Sequence, residues 1–485
     1  MSHPNAGYWG TSHWGTARWG TLEIDSALGI KPAGGFPIGL GDWKVTLELL
    51  LPSPAESRWG IGRWGTARWP ALAWNDLSSY MRGVSWARGA TSVGTRPEVG
   101  LMEVTLDNRD FLFSPWNAVS SWNETVVTDP AGNVIPSYFA PGTVIRLAVY
   151  SPSGQLDPIT DPDTLDPSSR RSWVSLFCGL VSSWTDQTIS RGADSFVSIT
   201  AEETLSSVAQ IIVPAVAPVG AGDSPLERIT RLLEEGLWKY GPVIDRYLDP
   251  LPPVDLELQE TTLAANRITD CYLTADSVGA VVRSDRSGLP TIYNRYSSLS
   301  PTGIRDGPDA SNIVCLAAAG SLVGSSLVVP YVADSVNTQN DDEIIINTVT
   351  LGNKGGSVRT GSDARSIALY DPRTLQRSDL IGQSDALLDL LIADELETRA
   401  LLALRLETLQ LHSRQSGALS AQIGIDVDEL LEVELPPLIA GYEFTVSRAQ
   451  VLGMAHTLEP TANGVVWVTD YQFGLQGPLN VQEDN

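Results

Sequence analysis

Two long stretches of the sequence alternate apolar and polar residues, and this alternation constrains the fold more than any other feature. In the first stretch, residues 102–107 read Met-Glu-Val-Thr-Leu-Asp, which is the period of two of a half-buried strand. Residues 145–149, 175–181 and 195–200 repeat the pattern. In the second stretch, residues 343–351 and 465–468 are rich in Ile, Val, Thr and Trp, which is also typical of strands. The sequence therefore predicts a mainly β protein.

An α+β segment separates the two β stretches. Residues 214–225 form a linker rich in Pro, Gly and Ala, and apolar residues at helical spacing follow it, with Ser224 placed to cap the helix. Further on, two short apolar runs flank residues 284–288 like a hairpin. The predicted organisation is an N-terminal arm (1–76), a first β domain (77–210), an α+β insert (211–310) and a second β domain (311–485) that includes a helix at 384–400.

The arm is defined by tryptophan. Of the 15 Trp in the chain, eight lie in its first 74 residues, and the motif Trp-Gly recurs there every five residues. A period of five fits neither a helix nor a strand, so we expect an extended, turning ribbon whose rings pack on another surface. That surface could be the chain's own body, a neighbouring subunit or other protein, or a glycan. Packing on the chain's own body is the ordinary outcome for such rings, but the sharper hypothesis to test is an assembly contact. We therefore predict that contact through Trp9, Trp14, Trp19, Trp59, Trp64, Trp69 and Trp74.

The charge of the chain excludes an unspecific nucleic-acid binder. With 32 Lys and Arg against 57 Asp and Glu, the formal net charge is -25. Residues 1–74 hold 6 basic and 5 acidic residues, so the body carries a net charge of -26. An acidic body of this kind repels nucleic-acid phosphates.

Cysteine usage and hydropathy indicate an intracellular place of synthesis. Cys178, Cys271 and Cys315 are far apart in apolar contexts, which predicts buried free thiols in a reducing cytoplasm. No stretch approaches ~20 consecutive apolar residues, and the first residues do not resemble a signal peptide. We therefore expect no membrane insertion.

Residues for catalysis or metal binding are sparse. Of four histidines, two lie in the arm, which leaves His412 and His456, and we expect His456 to be structural. The common hydrolase, metalloprotease and nucleotide-binding motifs are absent from the sequence. The acidic loop 157–169 lacks the glycine and final glutamate of an EF-hand, and neighbouring carboxylates at 341–343 would point to opposite faces of a strand. The sequence predicts no enzyme, no cofactor and no metal site.

Several stretches resemble, in order, the tail hub proteins of long-tailed bacteriophages, in particular the minor tail proteins of actinobacterial siphophages. Residues 96–110, with Leu-Asp-Asn at 106–108 and Phe113 to Asn117 after them, are similar to one family stretch, and residues 177–184 are similar to its F-x-G-x-V-x-x-W. Residues 347–351 and 363–370 are similar to its N-x-V-x-V and D-x-x-S-I-x-x-Y-G. The sequence departs from the family at Asp371, where a glycine is usual. The resemblance spans about residues 77–475.

The resemblance implies a structural hub at the tail tip. Each chain would contribute two tube-like β-barrel domains, so that a homotrimer forms a pseudo-sixfold ring that joins the sixfold tail tube to the tip complex. The implied partners are the distal tail protein, the tape measure protein and other tail-tip or fibre proteins. The implied location is the virion tail tip, after assembly in the host cytoplasm. Genomic DNA would pass through the ring without specific binding, and we expect a negative or neutral lumen.

Two other functions are compatible with the sequence. One is a distal tail ring protein or the hub of a contractile injection system. The other is a Trp-rich carbohydrate-binding protein that recognises the host. Oligomeric state separates these functions, because a hub is a trimer, a distal tail ring is a hexamer, and a lectin needs no ring.

Overall fold

The structure is a computed structural model, and the residues that it describes fall into several ranges. They are residues 36–37, 44–52, 72–90, 98–109, 111–114, 117, 141–150, 173–189, 194–209, 216–235, 242–246, 256–263, 266–294, 315–317, 328–332, 335–339, 345–401, 405–415, 418–427, 430–435, 445–461 and 464–474.

The first β region has eight strands and one short 3-10 helix at Ser78–Tyr80. The strands are β1 (Phe36–Pro37), β2 (Lys44–Pro52), β3 (Leu72–Asp76), β4 (Met81–Gly89), β5 (Glu98–Asp107), β6 (Val144–Tyr150), β7 (Trp173–Ile189) and β8 (Asp194–Glu203). The predicted alternation in β5 is confirmed, because Met102, Val104 and Leu106 are fully buried and the residues between them face solvent or lie half-buried.

The α+β segment contains short strands and three helices. They are α1 (Ser206–Ala209), β9 (Val216–Val219), α2 (Pro225–Glu235), β10 (Ile244–Arg246), β11 (Thr261–Leu263), α3 (Arg267–Val278), β12 (Ala280–Ser284) and β13 (Pro290–Asn294). The predicted cap of α2 is confirmed, since the Glu227 N–H donates to Ser224 Oγ over 3.3 Å and the Ser224 N–H donates to the Glu227 carboxylate over 2.9 Å.

The last part of the chain adds ten strands and three helices. They are β14 (Cys315–Ala317), β15 (Val328–Pro330), β16 (Asn337–Gln339), β17 (Thr348–Asn353), β18 (Val358–Ser362), α4 (Ala364–Tyr370), β19 (Thr374–Leu380), α5 (Asp385–Arg399), β20 (Arg405–His412), α6 (Ala418–Gly424), β21 (Leu430–Leu435), β22 (Thr445–Thr461) and β23 (Gly464–Phe473). The helix predicted at 384–400 is α5.

One fifteen-stranded sheet joins the two β regions. Its first half runs β2, β6, β7, β8, β5, β4, and its second half contains β22, β23, β20 and β16. The halves meet where β4 pairs antiparallel with β22 over six residue pairs. Glycines permit this contact, because a Cβ on Gly89 would lie 2.2 Å from the Leu452 carbonyl oxygen and one on Gly453 would lie 2.4 Å from that of Ala90. We call the contact between β4 and β22 the internal seam.

The two halves of the sheet repeat the same construction. In chain order, the last two strands of each half form a hairpin of a 17-residue strand and a 10-residue strand. These strands are β7 and β8 in the first half and β22 and β23 in the second. Both long strands carry an irregularity, between Val181 and Ser183 in one and between Val451 and Gly453 in the other. The equivalent third strands, β5 and β20, pair with β8 and β23.

The fold is mainly β, as predicted, but its strands are not arranged as two separate barrels. In the ranges that the structure describes, the strands form the large sheet and three small ones, and no barrel closes. Residues 44–52 and 72–76, which the sequence assigned to the arm, are strands of the large sheet. One apolar core also joins residues 205–292 with 346–392, so it crosses the boundary predicted at 310.

Candidate functional site

One face of the sheet is open over seven strands and crosses the internal seam. The pairing register places its side chains in rows. One row is Ser183, Thr200, Glu103, Ser85, Thr457, Val468 and His412. A second row is Glu202, Leu101, Ala87, Ala455, Asp470 and Gln410. All of these side chains are exposed or half-buried. We call this surface the open face.

The open face is acidic and rich in hydroxyl groups. Its two rows contain three carboxylates and no Lys or Arg. Hydrogen bonds hold two of the carboxylates, since Ser198 Oγ donates to Glu103 over 3.2 Å and Gln410 Nε2 donates to Asp470 over 2.8 Å. Partial burial and the charge of Arg414 lower the pKa of His412, which keeps this imidazole neutral at pH 7. The two rows therefore supply no cationic side chain of their own to attract a nucleic-acid phosphate.

A buried charged cluster fixes the three parts of the chain to one another. Arg88 of β4 has a side chain that is 2% exposed, and its Nε donates to Glu203 of β8 over 2.8 Å. Its Nη1 donates to Asp426, which follows α6, also over 2.8 Å. Its Nη2 donates to the carbonyl oxygen of Ser284, at the end of β12, over 2.8 Å. One guanidinium thus binds the first β region, the insert and the second β region. We call this cluster the joint.

The hairpin between β12 and β13 completes the joint. Arg286 Nε lies 3.1 Å from Asp426, and its two terminal nitrogens donate to the carbonyl oxygens of Ile423 and Gly424, where α6 ends. Arg283 donates to the carbonyl oxygen of Val427 over 2.6 Å. A cation at the C-terminus of a helix is stabilising because it satisfies the last carbonyl groups.

The pKa values of the two acids of the joint shift in opposite directions. Burial raises the pKa of Glu203, and the charge of Arg88 offsets only part of this. Burial acts in the same direction on Asp426, but the charges of Arg88 and Arg286 outweigh it and lower the pKa of that carboxyl well below its usual range. Asp426 is therefore the firmly ionised acid of the joint.

His456 lies at the internal seam, beside the joint. Its ring stacks on Trp86 with centroids 4.5 Å apart, and its Nδ1 accepts from Trp467 Nε1 over 3.2 Å. Burial, together with the charges of Arg286 and Arg88, lowers the pKa of His456 to about 3. The prediction that this histidine is structural therefore agrees with its surroundings.

The structure brings together the family-like motifs of the first half. The Asn108 side chain accepts from the Phe113 N–H over 2.9 Å and donates to Ser114 Oγ and Asp186 over 3.0 and 3.2 Å. Trp184 Nε1 donates to the carbonyl oxygen of Phe113 over 3.0 Å. The two stretches are therefore parts of one hydrogen-bonded turn that supports β5 and β7.

The motifs of the second half also meet, and they explain the position that departs from the family. Asn347 Nδ2 donates to Ser366 Oγ over 3.2 Å and to the carbonyl oxygen of Asp371 over 2.8 Å. Asp371 ends α4 with φ 60° and ψ 166°. Only glycine adopts this conformation without strain. The glycine that is usual here in the family would therefore relieve the strain.

Of the predicted arm contacts, the structure describes Trp74. It lies half-buried on β3, where the Arg146 guanidinium stacks over its ring at 3.9 Å, and Arg146 Nε donates to Glu48 over 2.6 Å. This ring thus packs on the chain's own sheet. The other predicted contacts, Trp9, Trp14, Trp19, Trp59, Trp64 and Trp69, lie outside the described residues.

The structure describes some of the remaining candidates from the sequence. Cys178 and Cys271 are buried free thiols, as predicted, and burial raises the pKa of both. The acidic loop 157–169 and the carboxylates at 341–343 lie outside the described ranges. Within those ranges, no group of three or more His, Cys, Asp or Glu could hold a metal ion, and no helix is long and apolar enough to cross a membrane.

Comparisons with known proteins give structural similarities only. No protein-family model and no curated protein matches the sequence. A tail protein from Neisseria meningitidis is 10% identical, with a TM-score of 0.48 over 89% of this chain and 96% of that one. The 43 kDa tail protein of prophage MuSo2 from Shewanella oneidensis is 10% identical, with a TM-score of 0.46 over 88% and 98%. A prophage tail protein from Listeria monocytogenes is 8% identical, with a TM-score of 0.37 over 90% and 95%.

The three solved structures are tail proteins, and their similarity to this chain is one of fold alone. The narrower resemblance to actinobacterial siphophages stays a prediction. Because all three TM-scores lie below 0.5, the function of the chain has to be inferred from its own residues.

Proposed function

We propose that this chain is the structural hub of a phage tail tip, a homotrimeric ring whose open face lines the channel for DNA ejection. The observation that carries the proposal is the open face itself, because its two rows are acidic, contain no Lys or Arg and continue across two repeated halves. DNA-binding proteins gain affinity when their Lys and Arg side chains replace the counterions condensed on the phosphates. The two rows have no such side chain, so a duplex can slide past them without being bound.

The repeat favours three copies. Each chain presents two equivalent hairpins, so three chains present six and match a sixfold tail tube. Closed rings are also the usual way in which an oligomer avoids open sheet edges.

The width of the ring also favours three copies. Eight strands per chain follow one another in the order β7, β8, β5, β4, β22, β23, β20, β16. At ~4.8 Å per strand, three chains give a circumference of ~115 Å and a diameter of ~37 Å between backbones, or ~27 Å inside the side chains. Two chains would leave only ~14 Å, which excludes a DNA duplex.

The joint gives the hub its rigidity in this proposal. Arg88, Asp426 and Arg286 hold the insert against both β regions, so that force applied to one part is passed to the others. The partners remain those that the resemblance implies, namely the distal tail protein, the tape measure protein and tip or fibre proteins. The tryptophans of residues 1–35 would add a contact to a neighbouring chain. No catalytic step and no cofactor is part of the proposed function.

The mass of the purified chain tests the proposal. Native mass spectrometry and cryo-electron microscopy should find a threefold ring with an open channel. In a band-shift assay at physiological salt, duplex DNA should not bind to the purified ring. A monomer or a hexamer, or a channel lined by Lys and Arg, would contradict the hub.

A further inference from the structure

The two long strands of the repeat differ in how their edges are used. One edge of β22 is occupied twice, by β21 along residues 445–450 and by β4 along residues 453–458. The other edge of β22 pairs with β23, and just after β23 the Gly474 N–H donates to the carbonyl oxygen of Gln450. The matching edge of β7 is occupied once, by β6 along residues 173–180. Among the described residues, no strand pairs with residues 183–189 on that side.

The other end of the sheet has the complementary open edge. In the first half, β4 pairs with β5 on one side and with β22 on the other. Its equivalent, β16, pairs with β20 on one side, and no described strand covers the other. Each copy therefore has two open strand edges. One belongs to β16, which is equivalent to β4, and the other belongs to residues 183–189 of β7, which is equivalent to β22.

The repeat also fixes the register. Aligning the irregularities of the two long strands makes Gln187 of β7 equivalent to Thr457 of β22, and both are exposed on the open face. Asn337 of β16 is equivalent to Ser85 of β4, because each lies opposite an equivalent residue of the neighbouring strand. In the internal seam, Ser85 lies opposite Thr457.

We infer that β16 of one copy pairs antiparallel with residues 183–189 of β7 in the next copy, with Asn337 opposite Gln187. The inference rests on the proposed ring and names the surface that closes it. The partner is a second copy of this chain, because only a second copy supplies an edge with the same register as the internal seam. The contact is heterologous, so it does not stop at a dimer, and it closes into a ring when the rotation between copies is the threefold one of the proposed hub.

The two kinds of seam differ in length, and this sets where the ring comes apart. In the internal seam, the nine-residue strand β4 pairs with β22 over six residue pairs. In the seam between copies, β16 offers three residues. Fewer main-chain hydrogen bonds form between copies than within one. The ring should therefore dissociate into folded single chains before any internal seam opens.

Engineered cysteines test the inference in the full chain. Directly opposed residues of an antiparallel pair lie ~4.5–5.5 Å apart at Cα, which a disulfide can span. The double variant Asn337→Cys with Gln187→Cys should, on oxidation, give covalent dimers and trimers on a non-reducing gel. The matched control is Asn337→Cys with Ser183→Cys, because Ser183 lies four residues, or ~13 Å, further along β7 and cannot reach. Each single variant controls for accidental pairing.

Native mass measured on the same samples separates the two proposals. A trimer that cross-links through Gln187 and not through Ser183 supports the inference. A trimer that cross-links at neither position, or at Ser183 alone, overturns the seam and leaves the hub in place. A chain that stays monomeric while circular dichroism shows it folded overturns the ring and the seam together.

Discussion

Lowering the pH from 8 to 5 should destabilise the protein, and His456 should be the main cause. In the folded chain this ring is buried beside Arg286 and Arg88, which lowers its pKa to about 3. In the unfolded chain its pKa returns to about 6.5. Between these values the unfolded state binds the extra proton, so the free energy of unfolding falls as the pH falls. The loss amounts to about 2 kcal/mol at pH 5 and about 5 kcal/mol below pH 3.

Urea unfolding at pH 8 and at pH 5, followed by circular dichroism, measures this loss. The variant His456→Asn keeps an acceptor for Trp467 Nε1 but cannot be protonated, so its stability should change by about 2 kcal/mol less than that of the wild type between the two pH values. His412→Asn is the matched control. Its imidazole is only half-buried, so burial acts on it less than on the fully enclosed ring of His456, and this variant should keep most of the pH dependence of the wild type. Equal pH dependence in the wild type and His456→Asn would refute the reasoning.

Three further predictions concern strain, the joint and the open face. Asp371→Gly should raise the free energy of unfolding by about 1 kcal/mol in urea titrations, whereas Asp371→Ala, which keeps a Cβ at φ 60°, should not. Arg88→Met should lower stability by about 3–5 kcal/mol in the same assay, because it removes the buried cation of Glu203 and one of the two arginines that contact Asp426, whereas Arg109→Met on the surface should change it by less than about 0.5 kcal/mol. The double variant Glu103→Lys with Asp470→Lys should bind duplex DNA in band-shift assays, and this binding should weaken as the salt concentration rises. If the wild type binds DNA, or if this variant does not, the open face does not line the channel.

The sequence predicted those elements whose signal is local. The alternation around Val104 identifies β5, Ser224 identifies the start of α2, and the leucine spacing identifies α5. Each of these patterns is complete within about fifteen residues, so no distant contact is needed to read it.

The sequence did not predict the elements that depend on distant partners. Strand β2 lies inside the tryptophan-rich segment, and its place in the sheet depends on pairing with β6, about a hundred residues later. The joint depends on Arg88 and Asp426, which are 338 positions apart and lie in no motif. The strain at Asp371 was visible only as a departure from a family pattern, and its cause is a backbone angle.

The internal seam also has a consequence for synthesis on the ribosome. Strand β4 ends at Gly89, and its partner in β22 begins at Gly453. At ~5–20 residues per second, the ribosome needs about 20–70 s to make the intervening chain. For that time the edge of β4 faces solvent in a nascent protein beside other copies on the same message, where it can accept the wrong strand. Chaperones that cover this edge during synthesis would therefore raise the yield of correctly folded protein.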